Sequence, residues 1–164
     1  MLHLLVLLIE IFYSRFLFPV LSPIQSLRGT WYYIIRIEKP AKGIRHGEVC
    51  ITNELGALTF TAASLDEDNV FRSSFHSLAT YLDHAQLLVF YQSEGHTRKI
   101  NRITNGMMEL TLSERRGRFQ KPQTMQGSWK DTVPSAHSGS IVFYSNKVEY
   151  MEELKKEIEQ LRIG

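Results

Sequence analysis

The side chains of this sequence that could do chemistry are suited to holding a ligand rather than transforming one. There is no Gly-rich phosphate loop ahead of a helix, no His-Glu-x-x-His pair and no Gly-x-Ser-x-Gly elbow. Six histidines, His3, His46, His76, His84, His96 and His137, are scattered, with no metal-ligand spacing on a single element. Asp66-Glu67-Asp68 lacks the spaced ligands and central glycine of a calcium loop and reads as a solvated turn. Arg115-Arg116-Gly117-Arg118 could touch phosphates or anionic lipid heads, but a run of charge at this place is first an exposed hairpin tip. Cys50 is the only cysteine, so there is no intrachain disulfide or thiolate cluster, and on a strand it is expected to pack rather than react. No catalytic residue, metal or cofactor is assigned. What remains is a set of strand residues that can stack, hydrogen-bond or carry charge. Tyr33, Ser73, Tyr91 and Trp129 fall at inward positions, and Arg36 and Arg72 are the nearest strand cations. An aromatic face stacks on a planar ring, and a guanidinium fork matches a phosphate. Alternation sets both arginines opposite the larger apolar side chains, hence outward, unless a β-bulge reverses them. Each aromatic also has an ordinary use as core packing, and Trp31 reads as a structural plug.

These residues sit on eight short, alternating, turn-bounded segments. The pattern predicts strands over Gly29 to Ile37, Gly47 to Asn53, Ala57 to Ala63 and Val70 to Ala79. Four more run over Gln86 to Gln92, Gly106 to Ser113, Met125 through Trp129 to Asp131, and Gly139 to Tyr144. In the first, Trp31, Tyr33, Ile35 and Ile37 share one face, and Tyr32, Ile34 and Arg36 the other. In the fourth, Phe71, Ser73 and Phe75 share a face opposite Arg72, Ser74 and His76. The fifth is nearly all apolar, as expected of a strand covered on both faces. Eight strands with hairpin-length links predict an all-β fold, an antiparallel up-and-down barrel over residues 27–145. Closure removes exposed strand edges, and a barrel of this size can enclose one small ligand.

The chain ends predict two helices. The apolar segment 1–22 is interrupted by Glu10 and Arg15 and closed by Pro19. It has neither the cationic start nor the small-residue cleavage site of a secretory signal. As a membrane span its two charges cost about 2.5–3.5 kcal/mol each at the centre, roughly what a dozen Leu, Ile, Phe and Val residues return. Membrane contact and packing on protein therefore both stay open. At the other end, Met151, Leu154, Ile158 and Leu161 form one stripe of an amphipathic helix over 147–163 that must dock on the barrel or on another subunit. Net charge is only +2, which disfavours a DNA or RNA duplex as partner while allowing a small anion.

Two family resemblances follow. Gly29-x-Trp31 at the start of the first strand resembles the lipocalin signature, in which the Trp plugs the barrel floor and an Arg near the last strand lies across it; the eighth strand here has no Arg. The closer likeness is to the β-barrel effectors of bacterial CBASS anti-phage operons. It rests on Leu27-x-Gly29-x-Trp31, Gly47-x-Val49-x-Ile51, Leu88-x-Phe90-Tyr91 and Gly106-x-x-x-Leu110. It continues through Gly127-x-Trp129-x-Asp131 and Gly139-x-Ile141-x-Phe143. The resemblance implies a lipocalin-like barrel preceded by a membrane segment, acting without catalysis as a receptor for cyclic dinucleotides. It implies a homo-oligomer formed on ligand binding, with residues 1–22 at the bacterial inner membrane and the barrel on the cytoplasmic side, or a wholly cytoplasmic protein. Tyr33, Arg36, Arg72, Ser73, Tyr91 and Trp129 are then the ligand-binding candidates. A lipocalin-like carrier of a lipid or other apolar molecule, and a filled barrel acting as an interaction module, are the other readings.

Overall fold

The computed structural model of the protein describes residues 6, 26–39, 42–54, 57–97, 100–113, 121–133 and 137–163. Eight strands form one closed antiparallel barrel in sequence order: β1 (Gly29–Lys39), β2 (Gly43–Glu54), β3 (Ala57–Leu65), β4 (Phe71–Asp83), β5 (Gln86–Thr97), β6 (Ile100–Leu112), β7 (Thr124–Val133) and β8 (Ser138–Tyr144). β1 closes the ring by pairing with both β2 and β8. The alternation that predicts this fold is what fills it. In β3, Leu58, Phe60 and Ala62 turn inward between exposed Ala57, Thr59, Thr61 and Ala63. Trp31, Tyr33, Phe60 and Phe143 are fully buried, each contributing about 1.5–3 kcal/mol by leaving water.

One end of the barrel is plugged. Trp31 is fully buried there, and its Nε1–H donates to the Leu27 carbonyl at 2.8 Å. The ammonium of Lys121 lies 4.4 Å from the centre of the Trp31 ring and donates to the Thr30 carbonyl at 2.8 Å. Lys121 thus covers the Trp31 ring.

The outer wall is covered on one side only. Helix α1 (Lys147–Ile163) starts at Asn146, whose Oδ1 accepts the Val148 N–H at 2.9 Å, and lies against β1, β2 and β8. Tyr150 and Leu154 pack with the outward residues Ile34 and Ile44, joined by Tyr32, Tyr144 and Ile158. This docking explains why the outward face of β1 is so apolar. Among the described residues no helix is long and apolar enough to cross a membrane. Apart from Val6, the expected helix 1–22 lies outside the described residues, as does the basic run at 115–118.

Several local expectations are corrected. β2 begins at Gly43, β5 runs to Thr97 and β6 begins at Ile100, so the barrel is taller at one end than the alternation predicts. Ser64 pairs with Ser73 and Leu65 with Phe71, which makes Arg72 a bulge residue and breaks the expected shared face of Phe71, Ser73 and Phe75. A second bulge falls at Leu78. The outer face of β5 is not covered by the described residues, and Phe90 is 43% exposed there. Cys50 does not pack in the core; it alternates outward on β2 beside Glu48 and is exposed.

Candidate functional site

The taller end of the barrel opens into a cavity of about 510 Å³. Its walls come from the ends of β1, β3, β5 and β7 and the beginnings of β2, β4 and β6, because an up-and-down barrel brings those strand ends to one mouth. Its apolar side consists of Ile35, Ile37, Phe75 and Met108, with Tyr91 and Trp129 beside them. Arg45, Arg72 and Arg102 line it with His137 and Asp131, and Ser64, Ser73, Ser93 and Thr104 supply hydroxyls.

Four of the six sequence-predicted residues meet here: Arg72, Ser73, Tyr91 and Trp129. Tyr33 lies next to the cavity but is itself fully buried; its ring meets Phe75 edge-on with centroids 5.8 Å apart, and its hydroxyl donates to the Ala63 carbonyl at 2.9 Å. Arg36 stands on the opposite side of the wall, where it pairs with Glu157 of α1. The two arginines that alternation leaves outward thus part company. Arg36 follows the alternation, while the bulge turns Arg72 to the cavity. Arg45 and Arg102 went unnoticed because both lie on strand ends beyond the apolar alternation. The signal was available for Arg45, which continues the inward series Ile51, Val49, Gly47 in steps of two.

A common device seats the inward aromatics. Tyr33 is registered opposite Gly47, Tyr91 opposite Gly106, and Trp129 opposite Gly139. A Cβ on Gly106 would strike the Tyr91 phenol, and one on Gly139 would come within 3.2 Å of Trp129 Nε1. The rings therefore lie flat over the neighbouring strand instead of filling the centre, and the cavity stays open at their level.

The polar groups are ordered by two aspartates. Asp131 accepts the Tyr91 hydroxyl at 2.9 Å through Oδ1 and meets His137 Nδ1 at 3.2 Å through Oδ2. Burial, together with the Asp131 charge, pushes the Tyr91 phenol far above its ordinary range, so it serves as a neutral hydrogen-bond donor and not as a base. Asp66 pairs with Arg72. Its Oδ1 also accepts the backbone N–H of Asp68 at 3.1 Å and of Val70 at 2.8 Å. The Val70 N–H, more than Arg72, holds the Asp66 carboxyl below the usual carboxylate range. Behind this loop His46, 2% exposed, bridges the Asp66 carbonyl (Nε2, 2.9 Å) and the Tyr150 hydroxyl of α1 (Nδ1, 2.8 Å). A carbonyl only accepts, so Nε2 carries the proton and Nδ1 accepts from Tyr150.

The side chains of Arg45 and Arg102 have no hydrogen-bond or ion-pair partner among the described residues. Trp129 Nε1 is buried and likewise has no partner. Unpaired cations beside flat aromatic faces suit an anionic ligand with planar parts. Among the described residues no group of three or more metal-ligating side chains is gathered. No protein-family model matches the chain, and comparison with curated proteins finds no match either, so the chemistry of this cavity is what its function is read from.

Proposed function

We propose that the protein is a non-catalytic receptor for a small anionic ligand carrying planar rings, and that this ligand is a cyclic oligonucleotide of bacterial anti-phage defence. The observation that carries the reading is the cavity itself: about 510 Å³, floored by aromatic and apolar side chains and rimmed by Arg45, Arg72 and Arg102. That volume lies within the roughly 300–1,000 Å³ usual for small-molecule sites. Bases stack on Tyr91 and Trp129, Ser73 hydrogen-bonds, and the arginines meet phosphate. The order of Gly-x-Trp strands, in which the sequence resembles the CBASS barrel effectors, supports the choice of a cyclic oligonucleotide. In this reading residues 1–22 deliver the output at the bacterial inner membrane, and ligand-bound barrels associate into homo-oligomers.

Calorimetry with a panel of cyclic di- and trinucleotides tests the proposal. One member binds with a one-to-one stoichiometry, and Tyr91→Ala and Trp129→Ala each weaken it. Silence across the panel overturns it. The lipid-carrier reading uses the same apolar floor but gives the rim arginines only a single headgroup to meet. Native mass spectrometry of the purified protein separates the two, because a carrier keeps a bound lipid.

A further inference from the structure

The basic groups of the mouth follow the ring of strands. Arg45 lies on β2, Arg72 on β4 and Arg102 on β6, and His137 immediately precedes β8. Even-numbered strands all begin at the open end, so every second strand brings one basic side chain to the rim. In a closed ring of eight, β2 and β6 are four strands apart in either direction. Arg45 and Arg102 therefore face each other across the mouth, and Arg72 and His137 lie on the crossing diameter.

The two diameters differ in chemistry. On the β4–β8 diameter each group is held by a carboxylate, Arg72 by Asp66 and His137 by Asp131. On the β2–β6 diameter neither arginine has a partner among the described residues. Arg45, half-buried at the cavity edge, and Arg102, exposed at the rim, are thus both available to an anion, and a guanidinium fork meets one through charge-assisted hydrogen bonds.

We infer that Arg45 and Arg102 form a two-point clamp for a ligand whose two anionic groups sit on opposite edges, with its planar parts lowered between them towards Tyr91 and Trp129. The inference rests on the receptor reading and narrows it. The ligand is a rigid dianion with outward-facing phosphates. A monoanion fills only one point. A linear triphosphate gathers its charge on one side and so reaches only one of the two points.

The test is calorimetry of the full chain with cyclic di-AMP and cyclic di-GMP, which carry two opposed phosphates, and with cyclic AMP, which carries one. Arg45→Ala and Arg102→Ala each weaken binding of the two-phosphate rings by about tenfold to a hundredfold, the range of one charge-assisted hydrogen-bonded contact. Arg45→Lys and Arg102→Lys fall in between, keeping charge but losing the fork. The double alanine variant binds the two-phosphate rings no better than wild type binds cyclic AMP. Lys130→Ala, an exposed cation outside the cavity, changes nothing. Wild-type binding that survives in either alanine variant overturns the clamp and leaves the receptor reading standing. Wild type that binds none of the rings overturns the receptor reading, and the clamp with it.

Discussion

Protonating His46 lowers the stability of the fold, and the structure fixes the sign and the upper edge of the pH window. The ring is 2% exposed, and both nitrogens are committed, Nε2–H to the Asp66 carbonyl and Nδ1 to the Tyr150 hydroxyl. Burial outweighs the pull of the Asp66 carbonyl and of the nearby Asp66 and Glu67 charges, so the folded protein holds the His46 pKa below its ordinary 6.5. The unfolded chain titrates this histidine near 6.5. Between that value and the lower folded one, the unfolded state carries the extra proton. Stability from this group is therefore complete above about pH 6.5 and is lost as pH falls through the folded pKa. One proton contributes a slope of at most about 1.4 kcal/mol per pH unit within the window. Urea unfolding of wild type and of His46→Gln at half-unit steps from about pH 8 to pH 5 measures it. The difference between the two curves isolates His46 from the other histidines, and wild type loses its advantage as the acid side is approached. Tyr150→Phe leaves Nδ1 buried without a donor and costs about 1–3 kcal/mol at neutral pH. A wild-type minus His46→Gln difference that stays flat over this range refutes the argument, because a solvated or already charged ring produces no such slope.

Three other perturbations probe the parts around the site. Gly106→Ala drives a methyl into the Tyr91 phenol and crowds the Lys130 carbonyl at 2.7 Å, breaking the Tyr91–Asp131 hydrogen bond. It costs about 2–4 kcal/mol in denaturant unfolding. In a Tyr91→Ala background the same change costs distinctly less, and strict additivity of the two changes sinks the seating argument. Leu154→Ala empties the contact of α1 with Ile34 and Ile44 and costs about 2–3 kcal/mol, whereas Glu157→Gln, which removes a partly exposed partner of Arg36, costs about 1 kcal/mol or less. The ordering of the two by chemical denaturation checks whether α1 is held by its apolar face. Lys121→Gln uncovers the Trp31 ring, costs about 0.5–1 kcal/mol, and changes Trp31 emission at the plugged end without altering ligand affinity at the open end.

The plugged half of the barrel was legible in the sequence because there the inward residues are apolar and most outward ones polar. Trp31, Val49, Ile51, Leu58, Phe60, Leu110, Leu112 and Phe143 announce their strands by a period of two. Toward the mouth the same strands continue, but their inward positions are Arg45, Ser64, Ser93, Arg102 and Thr104. A polar lining cancels the contrast between the faces, so the alternation predicts β2 and β6 to begin several residues late and β5 to end several residues early. On β1 and β2 the outward residues Ile34, Ile44 and His46 are buried beneath α1, which blurs the pattern from the other side. Tyr91 and Trp129 could still be picked out because they stand one layer below the rim, where the alternation survives.

The same reasoning explains why Arg72 could not be placed from the sequence while Arg36 could. Four register shifts interrupt the ladders, and three lie near the mouth, at Glu38, Arg72 and Thr132. A bulge adds one residue to one strand, reverses every side chain beyond it, and leaves no compositional mark. Each of these three sits against a cavity residue: Glu38 follows Ile37, Arg72 is itself turned in, and Thr132 follows Asp131. A barrel that only needed to close and pack would keep a regular ladder to the rim. Here the irregularities gather where the lining becomes charged, and both aspartates that order the lining are anchored beside them. Asp66 is fixed by the loop entering β4, and Asp131 lies one residue before the break in β7. The departures from regular pairing thus aim the polar groups of the mouth, so the part of the fold least predictable from alternation is the part that determines what the cavity can hold.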